Sequence, residues 1–154
     1  MSGGKQKVPL VIRLIIGKGW GQGPQHSQSL ETLFAHIPGL KVVAPSNAYD
    51  AKGLLVSSIR DNGPVIFFEH RWLHNILGRV PKKIYSVKIG KAKVIQKGKD
   101  ITIISFSDAL IQLLRIKKIL KLSNISAEII DLRSIRPLDK KLILKSVKKT
   151  KNLL

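Results

Sequence analysis

The sequence predicts an α/β protein built on parallel sheets with helices on both faces. Short apolar runs rich in β-branched residues, typical of strands covered on both sides, alternate with segments that carry apolar residues at helical spacing. Glycine, proline and asparagine separate these segments, as expected for turns between the elements of an α/β protein. Hydrophobic residues make up 44% of the 154 positions, which is enough for the core of one ordinary domain or two small ones.

The first half of the chain predicts the order β, α, β, α, β. The apolar run VPLVIRLII at 8–16 is expected to be covered on both faces of a parallel sheet. The first helix is expected to use Ser27 or Ser29 as its N-cap. The remaining elements are a helix at 29–37, a strand at 40–45, a helix at 46–63 capped by Ser46 or Asn47, and a strand at 64–70.

A second alternation follows a segment without apolar periodicity. Residues 78–88 contain glycine, proline and lysine and predict a linker, so the domains are expected at 1–77 and 89–154. The second domain predicts two strands on either side of a turn at 97–100, a helix at 107–123, one strand at 125–135 and a helix beginning near Pro137. Each region offers too few strands to cover a parallel sheet, so we expect partner chains or a longer protein to complete them.

Composition excludes several kinds of site. The chain has no cysteine, which rules out disulfides, thiolate catalysis and cysteine-ligated zinc or iron–sulfur centres. No apolar run approaches the length of a membrane span, and no signal peptide opens the sequence. The sequence therefore predicts a cytoplasmic protein without a membrane partner.

A net charge of +19 makes a basic nucleic-acid-binding domain one alternative function. Residues 81–154 carry 19 basic and 5 acidic side chains, against 9 and 4 in residues 1–80. The lysines of the second half stand singly or in pairs, without an arginine cluster or an array of stacking aromatic residues. We therefore expect solvated lysines and no nucleic-acid partner.

The segment GKGWGQGPQHSQSLETLF at 17–34 places His26 among small residues just before a predicted helix. The positive end of a helix dipole disfavours a cationic imidazole, so His26 is expected to be neutral and accessible for proton transfer. A capping or packing role is the alternative. The glycines match neither a P-loop nor a dinucleotide-binding fingerprint and are expected to shape a channel. His70 and His74 are four residues apart, but no third ligand follows at a plausible spacing, so they do not predict a metal site.

Four motifs are highly specific in combination: QHSQS at 25–29, HIPGLKVV at 36–43, IRDNGPV at 59–65 and DLRSIRPLD at 131–139. With these motifs the sequence resembles the β subunits of the thiamine diphosphate-dependent 2-oxo acid dehydrogenases, within the transketolase superfamily. The resemblance extends over nearly the whole chain. It implies a truncated transketolase-like pyrimidine-binding domain followed by an incomplete transketolase C-terminal domain. It also implies a fragment, because the family's cofactor-activating glutamate and stacking aromatic residue would precede Met1.

The resemblance implies decarboxylation of a 2-oxo acid such as pyruvate and transfer of the acyl group to lipoamide. It implies an α subunit that holds the cofactor diphosphate and Mg²⁺, a second β subunit and a lipoyl acyltransferase component as partners. The fragment alone is expected to be inactive. A standalone thiamine diphosphate-dependent acyl or ketol synthase of the same superfamily is the alternative, because Leu14–Gly17 and Trp72–His74 depart from the family's pattern.

Two sites follow from the resemblance. His26 would be catalytic, facing the cofactor-bound intermediate and the incoming lipoyl group. The end of the second helix would bind potassium through backbone carbonyls, whereas an ordinary glycine-terminated helix is the alternative. The implied potassium ligands are Leu10, Ser58, Ile59, Asp61 and Gly63. Arg133, Arg136 and Asp139 are expected to fix the turn before the last helix and to make subunit contacts.

Overall fold

The computed structural model describes residues 6–154 and confirms the α/β prediction. The strands are β1 (Val11–Ile16), β2 (Lys41–Val43), β3 (Val65–His70), β4 (Lys93–Gln96), β5 (Ile101–Ser105), β6 (Ala127–Asp131) and β7 (Ser134–Arg136). The helices are α1 (Gly23–His26), α2 (Glu31–His36), α3 (Ala48–Ile59), α4 (Ser107–Leu122) and α5 (Lys140–Thr150), and a 3₁₀ turn (Arg71–Leu73) follows β3. Within residues 6–154, no helix is both long enough and apolar enough to cross a membrane.

The strands form two sheets. In the first, the order is β1-β3-β2-β7, with β1, β3 and β2 parallel and β7 antiparallel to β2. In the second, β6 lies in the centre between the parallel β5 and the antiparallel β4. The two strands predicted around the turn at 97–100 therefore both form, but they pair with β6 and not with each other.

Both faces of the inner strands of the first sheet are covered, as predicted. Successive side chains of a strand point to opposite faces. Ile66 and Phe68 of β3 pack in a cluster with α2, whereas Val65 and Phe67 pack in a cluster with α3. All four side chains are buried, and burial of each contributes about 1.5–3 kcal/mol relative to exposure. The first sheet with its two helices is therefore a three-layer core.

The prediction that β1 is covered on both faces is wrong for the part of the chain that the structure describes. β1 is an edge strand that pairs only with β3, and the side chains of Ile12 and Ile15 are 39% and 61% exposed. A run that is apolar on both faces indicates that the strand is buried, but it does not say whether this chain or another provides the covering residues. An uncovered apolar edge of this kind is a surface on which further β structure can pair.

A buried polar layer joins α5 to the second sheet, whereas α4 covers the opposite face with apolar side chains. The hydroxyl of Thr102 lies 2.7 Å from the hydroxyls of both Ser146 and Thr150. Glu128 accepts hydrogen bonds from Ser146 and Lys149. Burial acts to raise the pKa of Glu128, but hydrogen bonds from Lys149, Ser146 and the Gly98 backbone, together with the charge of Lys149, hold that pKa below its ordinary value. The polar layer thus replaces the apolar contact that a helix usually makes with a sheet.

The single strand predicted at 125–135 is divided into two. β6 ends at Asp131, and β7 begins at Ser134 after Arg133, whose φ of 58° is in the left-handed region. The chain there leaves the second sheet and joins the first, where β7 pairs with β2. The region 89–154 therefore contributes a strand to the sheet of the region 1–77, and the predicted linker separates two stretches of sequence that share a sheet.

Residues 78–88 contain neither helix nor strand, yet they are packed against α3. The amide of Val87 donates to the carbonyl of Gly53 at 2.9 Å, and the Val87 side chain is buried. The ring of Tyr85 stacks on that of Tyr49 at 4.5 Å between centroids, and its hydroxyl donates to the Tyr49 carbonyl at 2.8 Å. The segment is therefore an ordered connection.

Ionisable side chains are buried where the two sheets meet. Asp131 accepts hydrogen bonds from the Ser46 hydroxyl and from the amide of Arg133, both at 3.1 Å. The guanidinium of Arg133 in turn forms an ion pair with Asp50 on α3. Burial raises the pKa of Asp131 to about 6, against the opposing effect of these hydrogen bonds. This group of four residues connects α3 and the loop before it to the crossing between β6 and β7.

Only some of the helices have the N-cap residues that the sequence predicts. Asn47 caps α3 as predicted, since its side chain accepts from the amide of Asp50 at 2.9 Å. Asp139 likewise caps α5 through the amide of Leu142. The prediction for α2 is wrong, because Leu30 is its N-cap and makes no side-chain cap bond, while the Ser29 hydroxyl donates to Glu31.

Candidate active site

The carboxyl ends of β1 and β3 meet at one edge of the first sheet, because the two strands are parallel neighbours. Ile16 lies opposite His70, so the glycine-rich loop after β1 and the 3₁₀ turn after β3 leave the sheet side by side. Open α/β sheets bind their ligands at the carboxyl ends of their strands. This edge is therefore the candidate active site.

A cleft of about 220 Å³ lies at this edge. It is lined by Ile15, Trp20, Gln22, His26 and Arg71. The side chain of His26 is exposed, so its imidazole can reach a ligand without any displacement of the core. The structure thus places His26 where the sequence interpretation requires it to be accessible.

The predicted position of His26 at a helix N-terminus is wrong. His26 is the last residue of α1, a single turn with proline in its first positions, and α2 begins only at Glu31. Proline favours the first turn of a helix because its φ is already fixed, and Pro24 starts a separate turn ahead of the predicted helix. The helix-dipole argument for a neutral His26 therefore does not apply.

Gly17 allows the loop after β1 to fold back over the sheet edge. The amide of Gly17 donates to the carbonyl of Gln28, and the Gly17 carbonyl accepts from the amide of Trp20 at 2.8 Å. A Cβ atom at Gly17 would lie 3.0 Å from the Cβ of Trp20 and 3.4 Å from that of Arg71. A side chain at this position would crowd Trp20, which would have to move by a few tenths of an ångström.

Aromatic and cationic side chains cluster beside His26. The guanidinium carbon of Arg71 lies 5.2 Å from the centre of the Trp20 ring, within the range of a cation–π contact. The ring of Trp72 meets that of Trp20 edge to face, with centroids 4.7 Å apart. One Arg71 nitrogen, Nη1, is 3.3 Å from Nδ1 of His74. Arg71 is therefore held at the cleft by Trp20 and His74, and Trp72 supports Trp20.

Glu69, at the end of β3, is bound by a neighbouring cation. Its Oε1 lies 2.5 Å from Nε of Arg13, and its Oε2 lies 3.0 Å from Nη2 of the same residue. Nε2 of His74 is 3.8 Å from Glu69 Oε2. Glu69, Arg13 and His74 line a second cleft, of about 320 Å³, between the strand ends and the start of α3.

A third histidine of this edge, His70, is buried. Burial lowers the pKa of His70, and its Nδ1 accepts a hydrogen bond from the amide of Trp72 at 3.3 Å. It therefore supports the 3₁₀ turn as a neutral side chain. Residues 6–154 contain no group of three or more histidine, cysteine, aspartate or glutamate side chains arranged to hold a metal ion.

The five carbonyls implied as potassium ligands lie around the turn between α3 and β3. The Leu10 carbonyl accepts from the amide of Val65 at 2.8 Å, which places it beside the residues that follow Gly63. The Ser58 carbonyl accepts from the amide of Asp61 at 3.2 Å. Nζ of Lys41 lies 2.5 and 2.6 Å from the two Asp61 carboxylate oxygens, so an ammonium group already neutralises that side chain. A role of this turn in cation binding stays a prediction.

Sequence reasoning missed Trp20 and Arg71 as members of the site. Arg71 was visible only as part of a charged stretch after a strand, and Trp20 as a large residue among glycines. The signal that could have found them is topological, because the loops that follow neighbouring parallel strands lie at the same sheet edge.

Two family models match the sequence. "Transketolase, pyrimidine binding domain" matches residues 1–75, and "Transketolase, C-terminal domain" matches residues 90–154. The candidate active site lies within the first match. The two matches together cover all but the segment at 76–89, which contains the whole of the predicted linker at 78–88.

Curated relatives match over almost the whole chain. The β subunit of acetoin:2,6-dichlorophenolindophenol oxidoreductase from Cupriavidus necator is 46% identical over 153 residues, which are 99% of this chain and 45% of the relative. The "Pyruvate dehydrogenase E1 component subunit beta" of Acholeplasma laidlawii is 45% identical over 150 residues, which are 97% of this chain and 46% of the relative. The chain therefore spans slightly less than half the length of these relatives.

A solved structure shares the fold. The structure described as "Split gene transketolase, inactive beta4 tetramer" superimposes with a TM-score of 0.78 at 23% identity, over 96% of this chain and 47% of that chain. This likeness concerns the fold alone. Together, the two domain matches show that the chain belongs to the transketolase family, and the relatives confirm the resemblance to dehydrogenase β subunits seen in the sequence.

Proposed function

We propose that the chain acts within the β subunit of a thiamine diphosphate-dependent enzyme that decarboxylates a 2-oxo acid such as pyruvate and passes the acyl group to lipoamide. The observation that carries the proposal is the exposed His26 in a cleft at the carboxyl edge of the sheet matched by the pyrimidine-binding model. The name of the pyruvate dehydrogenase relative supports this class of reaction. Because the chain spans less than half of those relatives, the activity belongs to a larger assembly.

The described residues fit one side of a cofactor site. The indole Nε1 of Trp20 is buried and has no hydrogen-bond partner within residues 6–154. An unsatisfied buried donor costs about 1–3 kcal/mol, which favours a ligand or another chain that completes this cleft. When bound, the cofactor supplies the electron sink for decarboxylation. None of the carboxylates of residues 6–154 lines the cleft, so the group that activates the cofactor would come from elsewhere in the assembly.

His26 is the residue of this cleft that can transfer a proton. Its imidazole can donate a hydrogen bond to an oxygen that gains negative charge during the reaction, and it can return or remove a proton at that oxygen. The neighbouring Arg71 adds positive charge to the same cleft. An oxygen that becomes anionic in this space would therefore be stabilised from two directions.

The proposed partners are an α subunit that holds the diphosphate and Mg²⁺, a second β subunit and a lipoyl acyltransferase. The uncovered edge of β1 supports the idea of further structure against the first sheet. The alternative, a standalone synthase of the same superfamily, differs in needing no α subunit. Omitting the α subunit from the assay below distinguishes the two.

The test replaces the matched region of a pyruvate dehydrogenase β subunit by this chain and reconstitutes the hybrid with the α subunit and thiamine diphosphate. We expect pyruvate decarboxylation, and we expect His26→Ala to reduce kcat by about 10²-fold or more, the usual contribution of a positioned acid or base. His36→Ala is the matched control, because His36 is an exposed histidine of α2 that does not line the cleft. Equal rates for the two variants would contradict the role of His26.

A further inference from the structure

We propose that Arg71, held against the ring of Trp20, is the specificity-determining residue of the His26 cleft and binds the carboxylate of the substrate. This inference rests on the proposed function and deepens it, because the relatives act, by their names, on two chemically different molecules. Pyruvate carries a carboxylate, whereas acetoin is an uncharged hydroxyketone. A cation fixed in the cleft favours the first over the second.

The position of Arg71 is fixed by its neighbours. Its guanidinium lies over the Trp20 ring at 5.2 Å, and Trp20 is itself braced edge to face by Trp72 at 4.7 Å. Nδ1 of His74 lies 3.3 Å from Nη1 of Arg71. Gly17 leaves room for Trp20 to pack closely at the end of β1. A cation held in this way loses little conformational entropy when it binds a ligand.

The charge of Arg71 is not neutralised within residues 6–154, where no carboxylate oxygen lies within 4.0 Å of its guanidinium. The acidic residue closest in sequence, Glu69, is bound through both of its oxygens by Arg13. Glu69 is therefore already paired with another cation. The guanidinium remains available to an anion that enters the cleft.

The chemistry of the guanidinium selects a carboxylate. Its planar fork can donate two parallel hydrogen bonds to the two oxygens of a carboxylate, and such charge-assisted pairs are the strong hydrogen bonds of proteins. Acetoin offers a single carbonyl and a hydroxyl group without charge, so it cannot form that pair. Arg71 can thus discriminate between the two substrates while His26 serves both.

The sequence provides its own reporter for this test. The chain contains two tryptophans, Trp20, which lines the cleft, and Trp72, which touches Trp20. The full 154-residue chain is titrated with pyruvate at constant ionic strength, set with sodium chloride, while tryptophan fluorescence is recorded. A parallel titration uses acetoin. No cofactor and no partner chain are needed, so the result is independent of turnover.

We expect a saturable fluorescence change with pyruvate and none with acetoin. Arg71→Gln should weaken pyruvate binding by about tenfold or more, because it removes a charge-assisted pair. Arg71→Lys keeps the charge but loses the planar fork, so its affinity for pyruvate should lie between that of the unaltered chain and that of Arg71→Gln. Arg79→Gln is the control, since it removes one positive charge from an exposed position nearby in the sequence and should bind as the unaltered chain does.

Three results would overturn the assignment: no saturable change with pyruvate, equal affinity for acetoin, or unaltered pyruvate binding by Arg71→Gln. A thermal melt of each variant, with the Arg71→Lys variant as a second probe, separates loss of binding from loss of folding. The outcome is distinct from the test of His26. Loss of pyruvate binding in Arg71→Gln together with full turnover in His26→Ala would refute the proposed function and leave the anion site standing.

Discussion

Arg133 and Asp50 form a buried ion pair between the two halves of the chain, with Nη2 of Arg133 2.7 Å from Oδ1 of Asp50. Asp50 lies on α3, which covers the first sheet, and Arg133 lies where the chain crosses from β6 to β7. The Asp50 side chain is 1% exposed. The pair therefore fixes the start of β7 against α3.

Removal of one partner of this pair should destabilise the whole chain. Arg133→Met leaves the Asp50 carboxylate buried without its cation, and loss of one partner of a buried pair costs about 3–5 kcal/mol. The measurement is urea unfolding, followed by circular dichroism. Arg115→Met, on the exposed surface of α4, is the control and should change stability by less than about 0.5 kcal/mol. Similar losses of unfolding free energy in both variants would show that the ion pair makes no specific contribution to stability.

Stability should fall as the pH rises through 6, because of Asp131. Burial raises the pKa of Asp131 to about 6 in the folded protein, against 3.8 for an ordinary aspartate. Between these two values the folded chain binds a proton that the unfolded chain does not. The favourable contribution is therefore complete below about pH 4 and is lost above about pH 6, by about 2–3 kcal/mol.

Asp131→Asn isolates this effect. An asparagine keeps an oxygen that can accept from Ser46 and from the Arg133 amide, but it does not titrate between pH 4 and pH 8. The difference in unfolding free energy between the two proteins should vary with pH, and the variant should gain on the unaltered chain as the pH increases. Parallel pH profiles would rule out a raised pKa for Asp131.

Gly53 should be required for docking of the 78–88 segment on α3. A Cβ atom at Gly53 would lie 2.5 Å from Cγ2 of Val87 and 2.9 Å from Cε2 of Tyr85. Gly53→Ala is expected to destabilise the chain by about 1–2 kcal/mol, although alanine favours helix by about 1 kcal/mol. Chemical denaturation measures the change. Adding Val87→Ala should restore part of the loss, and Gly63→Ala, with its nearest neighbour at 3.6 Å, should be tolerated.

Potassium should stabilise the turn between α3 and β3 if the carbonyls around Gly63 bind it. Melting temperatures are compared in potassium, sodium and choline chloride at equal ionic strength. A bound cation in about tenfold excess over its Kd adds about 1.4 kcal/mol. Identical melting in the three salts would mean that Lys41, which pairs with Asp61, provides all the positive charge this turn uses.

Local pattern was sufficient for most of the individual elements. The strands at β2, β3 and β6 and the helices α3, α4 and α5 form where apolar periodicity and caps such as Asn47 predict them. These signals come from neighbouring residues, which the sequence shows directly. His26 was placed at the wrong end of a helix because Pro24 started a separate turn that an apolar pattern does not reveal.

Long-range pairing was beyond the reach of the sequence pattern. That β7 would pair with β2 depends on a left-handed residue at Arg133, and arginine is not a residue that indicates such a turn. The candidate site was affected in the same way. His26 was found from its motif, whereas the contact between Trp20 and Arg71 exists only because β1 and β3 are adjacent.

The crossing of β7 has a consequence for how this protein can be divided. A cut within 78–88 would leave β2 of the N-terminal piece paired with β3 alone, and it would leave the C-terminal piece with a short strand, β7, that has no sheet of its own. Neither piece is expected to fold stably alone, but a mixture of the two should restore the pairing between β2 and β7. The two fragments would thus complement each other, and the pairing of β7 with β2 would drive their association.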